Sequence, residues 1–244
     1  MRNFIQELRY WIKNCVAMGI LFVILTTALL LSGGYQTYQR ALSERPIEAV
    51  IRDIRAQSSF TCLEQVPQLY INAVLAAEDH RFYRHNGIDL FAIAEAFMRD
   101  VRERRLAAGG STITQQLCKN QFFTQQKLFT RKIAEVFMVR KLEQHCSKDE
   151  ILELYINSIY YGSGYYNLAD AATGYFGKQI VELTAWECTL LAGLPNAPSV
   201  YAPTKNPGLA LQRQQQVLDA MVEYGYLTCK EADEILQQCP EDFL

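Results

Sequence analysis

From Cys15 to Gly34 the chain reads CVAMGILFVILTTALLLSGG, without a single charge. A bilayer-spanning helix needs roughly 20 such residues. The apolar core of a secretory leader is shorter, roughly 7–15 residues, and a small-x-small cleavage site follows it, which this chain lacks. The stretch therefore reads as a transmembrane anchor. Residues 36–60 follow as a polar neck of mixed charge. Beyond it, apolar positions recur at helical spacing. Ile71, Val74 and Leu75 make one stripe; Leu90, Phe91, Ala94, Phe97, Met98 and Val101 make another. Four S/T-x-x-E/Q capping boxes each precede an apolar segment and predict helix starts: Thr112/Gln115, Ser147/Glu150, Thr184/Glu187 and Thr228/Glu231. Gly162 to Gly177, rich in Gly and Tyr, reads as a loop or a broken element. Pro195, Pro198, Pro203 and Pro207 predict an extended, packed loop. Strand-like alternation is scarce, so the fold class is mainly α.

The 244 residues, 50% of them hydrophobic, suit one globular domain with an appended anchor. They exclude a disordered, collagen-like or coiled-coil chain. A net charge of −2 argues against a nucleic-acid binder. That average conceals a gradient: residues 81–148 hold thirteen basic and six acidic residues, and residues 149–244 hold four and thirteen. An anionic ligand or lipid surface belongs with the middle segment, unless it is simply a solvated basic face. Arg2, Arg9 and Lys13 outweigh Glu7 ahead of the anchor, which places the N-terminus in the cytoplasm and the main domain outside. Arg40, Arg45, Arg52 and Arg55 on the other side weaken that bias. Tyr10, Trp11, Tyr35 and Tyr38 bracket the span as interfacial aromatics do. The seven cysteines show no CxxC pair and no zinc spacing. The six outside the anchor are expected mostly as free, buried thiols, with disulfides left open by an oxidising compartment.

Three constellations have the residue types that chemistry needs. The stripe Ile71, Val74, Leu75 next reaches Glu78, the first residue of EDHRFYRHNG. A carboxylate on an apolar helix face is desolvated, which raises its pKa and makes it a better base. The alternative is a helix-end carboxylate paired with Arg81 or Arg84. His80 and His85 lack the H-E-x-x-H spacing of a metalloprotease. In GGSTITQQLCKN, Gly109 to Asn120, two glycines lead into a capped helix whose N-terminus can face an anion. Gln115 and Lys119 lie one turn apart, as do Gln116 and Asn120, which makes a polar ridge. The sequence is not a Walker A loop. In Arg131-Lys132-Ile133-Ala134-Glu135 two cations sit one turn from a carboxylate and hold it ionised, the alternative being a surface ion pair. Two carboxylates in unlike environments separate a base from a charged stabiliser. The stripe from Leu90 to Val101, followed by Arg99, Arg102, Arg104 and Arg105, is a core helix or an element dipping into lipid.

These residues resemble, in order and spacing, the motifs of the peptidoglycan glycosyltransferases of glycosyltransferase family 51. The likeness runs from about Leu63 to Arg213 and is narrowest to the monofunctional biosynthetic transglycosylases. E-D-x-x-F-x-x-H-x-G falls on Glu78, Asp79, Phe82, His85 and Gly87; G-G-S-T-I-T-Q-Q-x-x-K-N on Gly109 to Asn120; R-K-x-x-E on Arg131, Lys132 and Glu135. Two further motifs are similar to Lys148–Asn157, continuing to Tyr175–Lys178, and to Glu187–Pro198. The resemblance implies a lysozyme-like, two-lobed α domain over residues 61–244, with a jaw lobe at about 88–130, after a cytoplasmic segment 1–14, an anchor 15–35 and a neck 36–60. It implies polymerisation of lipid II into β-1,4 glycan strands with release of undecaprenyl pyrophosphate, Glu78 being the general base. Glu135 assists at the donor pyrophosphate, directly or through a divalent cation (Mg or Mn) that the resemblance leaves open. Asp79, Phe82, His85, Ser111, Thr112, Gln115, Gln116, Lys119, Asn120, Arg131 and Lys132 are the implied substrate-binding positions. The implied partners are lipid II, the lipid-linked strand, the bilayer and other cell-wall synthesis proteins, with no nucleic acid. Because the sequence stops at Leu244, strands are expected without crosslinking. Asn167 stands where relatives often carry Gly, and is expected to take up the left-handed backbone of a turn. A non-catalytic lipid II scaffold and a peptidoglycan glycosidase are the competing readings.

Overall fold

The computed structural model describes residues 2–103, 110–123, 129–240 and Phe243. Among these the chain is helical throughout, with only an isolated bridge, Gly162 to Tyr165, of strand type. The helices are α1 (Arg2–Glu44), α2 (Ile47–Arg55), α3 (Gln68–Glu78), α4 (Leu90–Glu103), α5 (Ile113–Phe122), α6 (Phe129–His145), α7 (Lys148–Ile156), α8 (Leu168–Phe176), α9 (Ala185–Gly193), α10 (Pro198–Tyr201), α11 (Pro207–Glu223) and α12 (Cys229–Leu236). All four expected capping boxes form, on α5, α7, α9 and α12, each with the hydroxyl accepting from the N3 amide and the N3 side chain reaching back.

The expected anchor falls within α1, a helix long and apolar enough to cross a bilayer, whose apolar window the protein leaves unburied. The expected neck is helical as well. α1 continues to Glu44, and Pro46 opens α2, which buries Ile47, Val50 and Ile54. The centre of the globular part is α9, with Trp186, Leu190, Leu191 and Ala192 buried and packed between α3 and α11. Gly193 makes this close packing possible. A Cβ there would come within 3.0 Å of Arg213 Cγ and 3.2 Å of Val217 Cγ2, so the bare backbone lets α11 pass near enough to deliver Arg213 to the site.

Three expectations are corrected. Gly162 to Gly177 is not one loop: after a turn with left-handed Gly162, Ser163 and Gly164, the chain forms α8. Asn167 is extended (φ −153°) and not left-handed; its side chain accepts from the Asp170 amide and caps α8. The proline-rich segment is not extended either. Pro195, Pro198 and Pro207 take first-turn positions, where a missing N–H costs nothing, and open a 3-10 turn, α10 and α11, while Pro203 sits in the turn between α10 and α11. All seven cysteines are free, with Cys118, Cys146 and Cys188 buried and Cys62 and Cys229 exposed. Burial pushes the Cys146 thiol up to about 11, the neighbouring Glu150 adding to the shift.

Candidate active site

Glu78 is the last residue of α3, where the apolar stripe puts it, and its carboxylate is only 5% exposed. Two groups hold it, and a third fixes one of them. Gln116 Nε2 donates to Oε2 at 2.6 Å, the Tyr155 hydroxyl donates to Gln116 Oε1 at 3.2 Å, and Arg213 Nη2 lies 3.4 Å from Oε1. The amide of Gln116 is thereby fixed with its NH2 on the carboxylate. Burial raises the Glu78 pKa, and Gln116 and Arg213 pull against that rise. Neither Arg81 nor Arg84 is the partner expected as the alternative: Arg81 pairs with Asp89 at 2.7 Å and Glu95 at 3.3 Å. Arg213 lies 135 positions from Glu78 in a segment without a chemical motif, so spacing offered no signal for it.

The rest of the first motif staples α3 to α5. Gly87 N–H donates to His85 Nδ1, which leaves the proton on Nε2, and Nε2 donates to Asp79 at 2.9 Å. Asp79 Oδ2 also accepts from the Ile113 amide, and the Thr112 hydroxyl donates to the Gly87 carbonyl at 2.6 Å. Phe82 is buried, under the Lys148 ammonium. Two site expectations change here. The amides of Thr112, Ile113 and Gln115 are taken by Gln115, Asp79 and Thr112, so the α5 N-terminus does not offer them to an anion. Phe82 and His85 do not line the cleft; they hold the segment that does.

That cleft, about 540 Å³, is lined by Glu78, Glu135 and Lys132. Ser111, Gln115, Gln116, Lys119 and Asn120 from α5 and the turn before it line it too, facing Tyr160, Pro195 and Asn196. Glu135 is 1% exposed, with Arg131 Nε 3.0 Å from one oxygen and Lys132 Nζ 3.1 Å from the other. Arg131 and Lys132 thus outnumber the Glu135 carboxylate they flank, and Lys119 adds a further cation to the cleft lining. On the other side of Glu78 a smaller recess, about 130 Å³, shares Ala77, Glu78, Gly110 and Ser111 with the cleft. It is lined by Asp79, Asp89, Glu95 and the His80 ring, which stacks flat on Tyr224 at 3.9 Å. Burial and the nearby Arg81 lower the His80 pKa.

The residues do not fit a divalent cation at Glu135. Both of its oxygens face cationic nitrogen, and the grouped metal-type donors among the described residues are elsewhere: Cys62, Glu64 and Glu153, and Asp79, His85 and Asp89. In the second group Asp79 is occupied by His85 and Asp89 by Arg81. Gly109, Arg104 and Arg105 and the side chains of Phe97, Arg99 and Val101 lie outside the described residues.

The family model described as Transglycosylase matches residues 44–222, which takes in every element that builds the cleft. The chain belongs to the transglycosylase family. Among its relatives, penicillin-binding protein 1A of Neisseria gonorrhoeae is 46% identical over 179 residues, 73% of this chain and 22% of that protein. Penicillin-binding protein 1A of Aquifex aeolicus is 44% identical over 73% of this chain and 25% of its own length. A crystal structure of penicillin-binding protein 1A from Haemophilus influenzae aligns with 74% of this chain and 17% of its own, at 26% identity and a TM-score of 0.45. This transglycosylase thus spans about a fifth to a quarter of the length of the relatives it matches. The match runs past the anchor into α11, so Arg213 lies within the family's own segment.

Proposed function

We propose that this transglycosylase polymerises lipid II into β-1,4 glycan strands at the outer face of the membrane, with α1 as a single-pass anchor and its N-terminus in the cytoplasm. One observation carries the reading: a desolvated carboxylate, Glu78, and a cationic cluster around Glu135 line the same cleft. The donor is a sugar linked through pyrophosphate. Its leaving group gathers negative charge as the bond from the anomeric carbon breaks, and Lys119, Arg131 and Lys132 stabilise that charge. Glu135 keeps the Arg131 and Lys132 side chains aimed and does not itself move a proton. The acceptor hydroxyl comes to Glu78 from the recess, whose carboxylates repel a pyrophosphate and leave room for an uncharged sugar. Glu78 takes the hydroxyl proton, the freed oxygen bonds to the anomeric carbon, and the lipid pyrophosphate departs to the cations. Attack opposite the leaving group inverts an α-linked donor to a β product.

A glycosidase also uses two carboxylates, but a polymer without phosphate has no need of three cations. Incubation with labelled lipid II in detergent, followed by gel separation, distinguishes the readings. A ladder of lengthening glycan is expected. Soluble muropeptides released from purified sacculi would replace the polymerase by the glycosidase, and tight lipid II binding without turnover would replace it by the scaffold.

A further inference from the structure

α1 does more than reach the membrane, because its outer turns are seated on α6, the helix that carries Arg131, Lys132 and Glu135. The seat is Gly33–Gly34. A Cβ on Gly34 would lie 2.4 Å from Ile133 Cγ2 and 2.6 Å from Ile133 Cβ, and one on Gly33 would lie 3.2 Å from Thr130 Cγ2. Packed carbon atoms do not approach so closely, so any side chain at position 34 forces the helices apart. Farther along, Tyr35 and Tyr38 close on Phe137 with ring centroids 5.4 Å and 5.8 Å away. Thr130, Ile133 and Phe137 share one face of α6 at helical spacing, and the cation cluster is interleaved with them in the same two turns. The face that α6 sends into the core begins only at Ala134 and runs through Met138, Val139 and Leu142. The first turn, with Arg131 and Lys132, is seated on α1 through Thr130 and Ile133.

We propose that the Gly33–Gly34 notch is a positioning element of the catalytic cleft: by seating α6 it fixes where Lys132 and Glu135 stand. The inference rests on the polymerase reading, in which these groups meet the departing pyrophosphate. A displacement on the order of 1 Å in such groups costs about 100-fold in rate. Gly34 acts through α6 and touches no substrate.

The test compares the full-length wild type, Gly34→Leu and Gly19→Leu in detergent. Gly19 lies in the same helix with nothing near its missing Cβ. Two quantities are read: kcat and KM on labelled lipid II, per folded molecule by thermal melting, and amide hydrogen exchange across residues 129–137. The expected result for Gly34→Leu is a fall in kcat of about tenfold or more with KM within about threefold, because the added negative charge that the leaving group gains appears only in the transition state. Exchange should quicken at the start of α6 and not in α9, and Gly19→Leu should match the wild type in both readouts. Gly34→Ala makes the same comparison if the leucine variant does not fold. Unchanged exchange in α6 overturns the proposal whatever the turnover, as does an equal loss in Gly19→Leu. Quickened α6 exchange in Gly34→Leu beside a folded wild type that makes no glycan would instead overturn the polymerase reading and leave the packing role of the notch standing.

Discussion

In the proposed reaction Glu78 serves as a base because burial removes water from it while Gln116 and Arg213 still hold it in place. A carboxylate with a raised pKa is a stronger base, but the rate then falls as pH drops through that raised value and the carboxylate takes up a proton. Arg213 opposes the rise, so Arg213→Met should move the acidic limb of the pH–rate profile to higher pH, read from kcat/KM across the acid range. An unmoved limb would show that Arg213 does not set the ionisation of Glu78. The cations have a different task. Lys119→Ala and Arg131→Ala should each lower kcat about 10- to 100-fold by weakening stabilisation of the departing pyrophosphate; unchanged turnover in both would mean that the pyrophosphate binds elsewhere. At this scale the sequence was readable where a residue's role depends on its neighbours in the chain. Glu78 follows from the period of α3, and the Arg131–Lys132–Glu135 cluster from one turn of α6. Arg213 was not readable, because its partner is brought to it by the packing of α11 on α9 and α3.

Helix starts were the most legible elements, because a capping box is a local exchange of hydrogen bonds between residues three apart. Each should contribute independently of the chemistry. Thr184→Ala, at the head of the buried α9, is expected to cost about 1 kcal/mol, a fall in Tm of about 2–4 °C for a domain of this size. Scanning calorimetry checks it, and an unshifted Tm would show that the Thr184 cap adds nothing net. Proline and glycine segments misled for a physical reason. A proline excludes the helix interior but fits the first turn, and the sequence does not say which of the two a given proline marks. The contact at Gly193 is likewise invisible without α11. Gly193→Ala should displace Arg213, lower kcat and move the pH–rate limb in the same direction as Arg213→Met, with little change in helix content by circular dichroism.

At the scale of the whole molecule, three features face one kind of substrate. α1 supplies a bilayer-length apolar helix, and α4 leaves Leu90, Phe91 and Met98 65–75% exposed beside a recess that Ala92, Glu95 and Ala96 line. The cleft lined from α3, α5 and α6 carries Lys119 and Lys132, where the proposed lipid pyrophosphate would depart. Exposed apolar side chains next to a lipid-linked substrate belong against its tail or the bilayer surface. Phe91→Glu should therefore raise KM for full-length lipid II about tenfold, the scale of one lost aromatic burial, and leave a short-chain soluble analogue unaffected. The central claim, that Glu78 is the base of a lipid II polymerase, is tested most directly by one comparison: glycan formed from labelled lipid II by the wild type and by Glu78→Gln. Glutamine keeps the shape and removes the desolvated charge, so the variant should melt no lower than the wild type. The account expects a ladder from the wild type and a fall of about 10²- to 10⁴-fold in the variant. A folded Glu78→Gln that still builds long strands at the wild-type rate would contradict it.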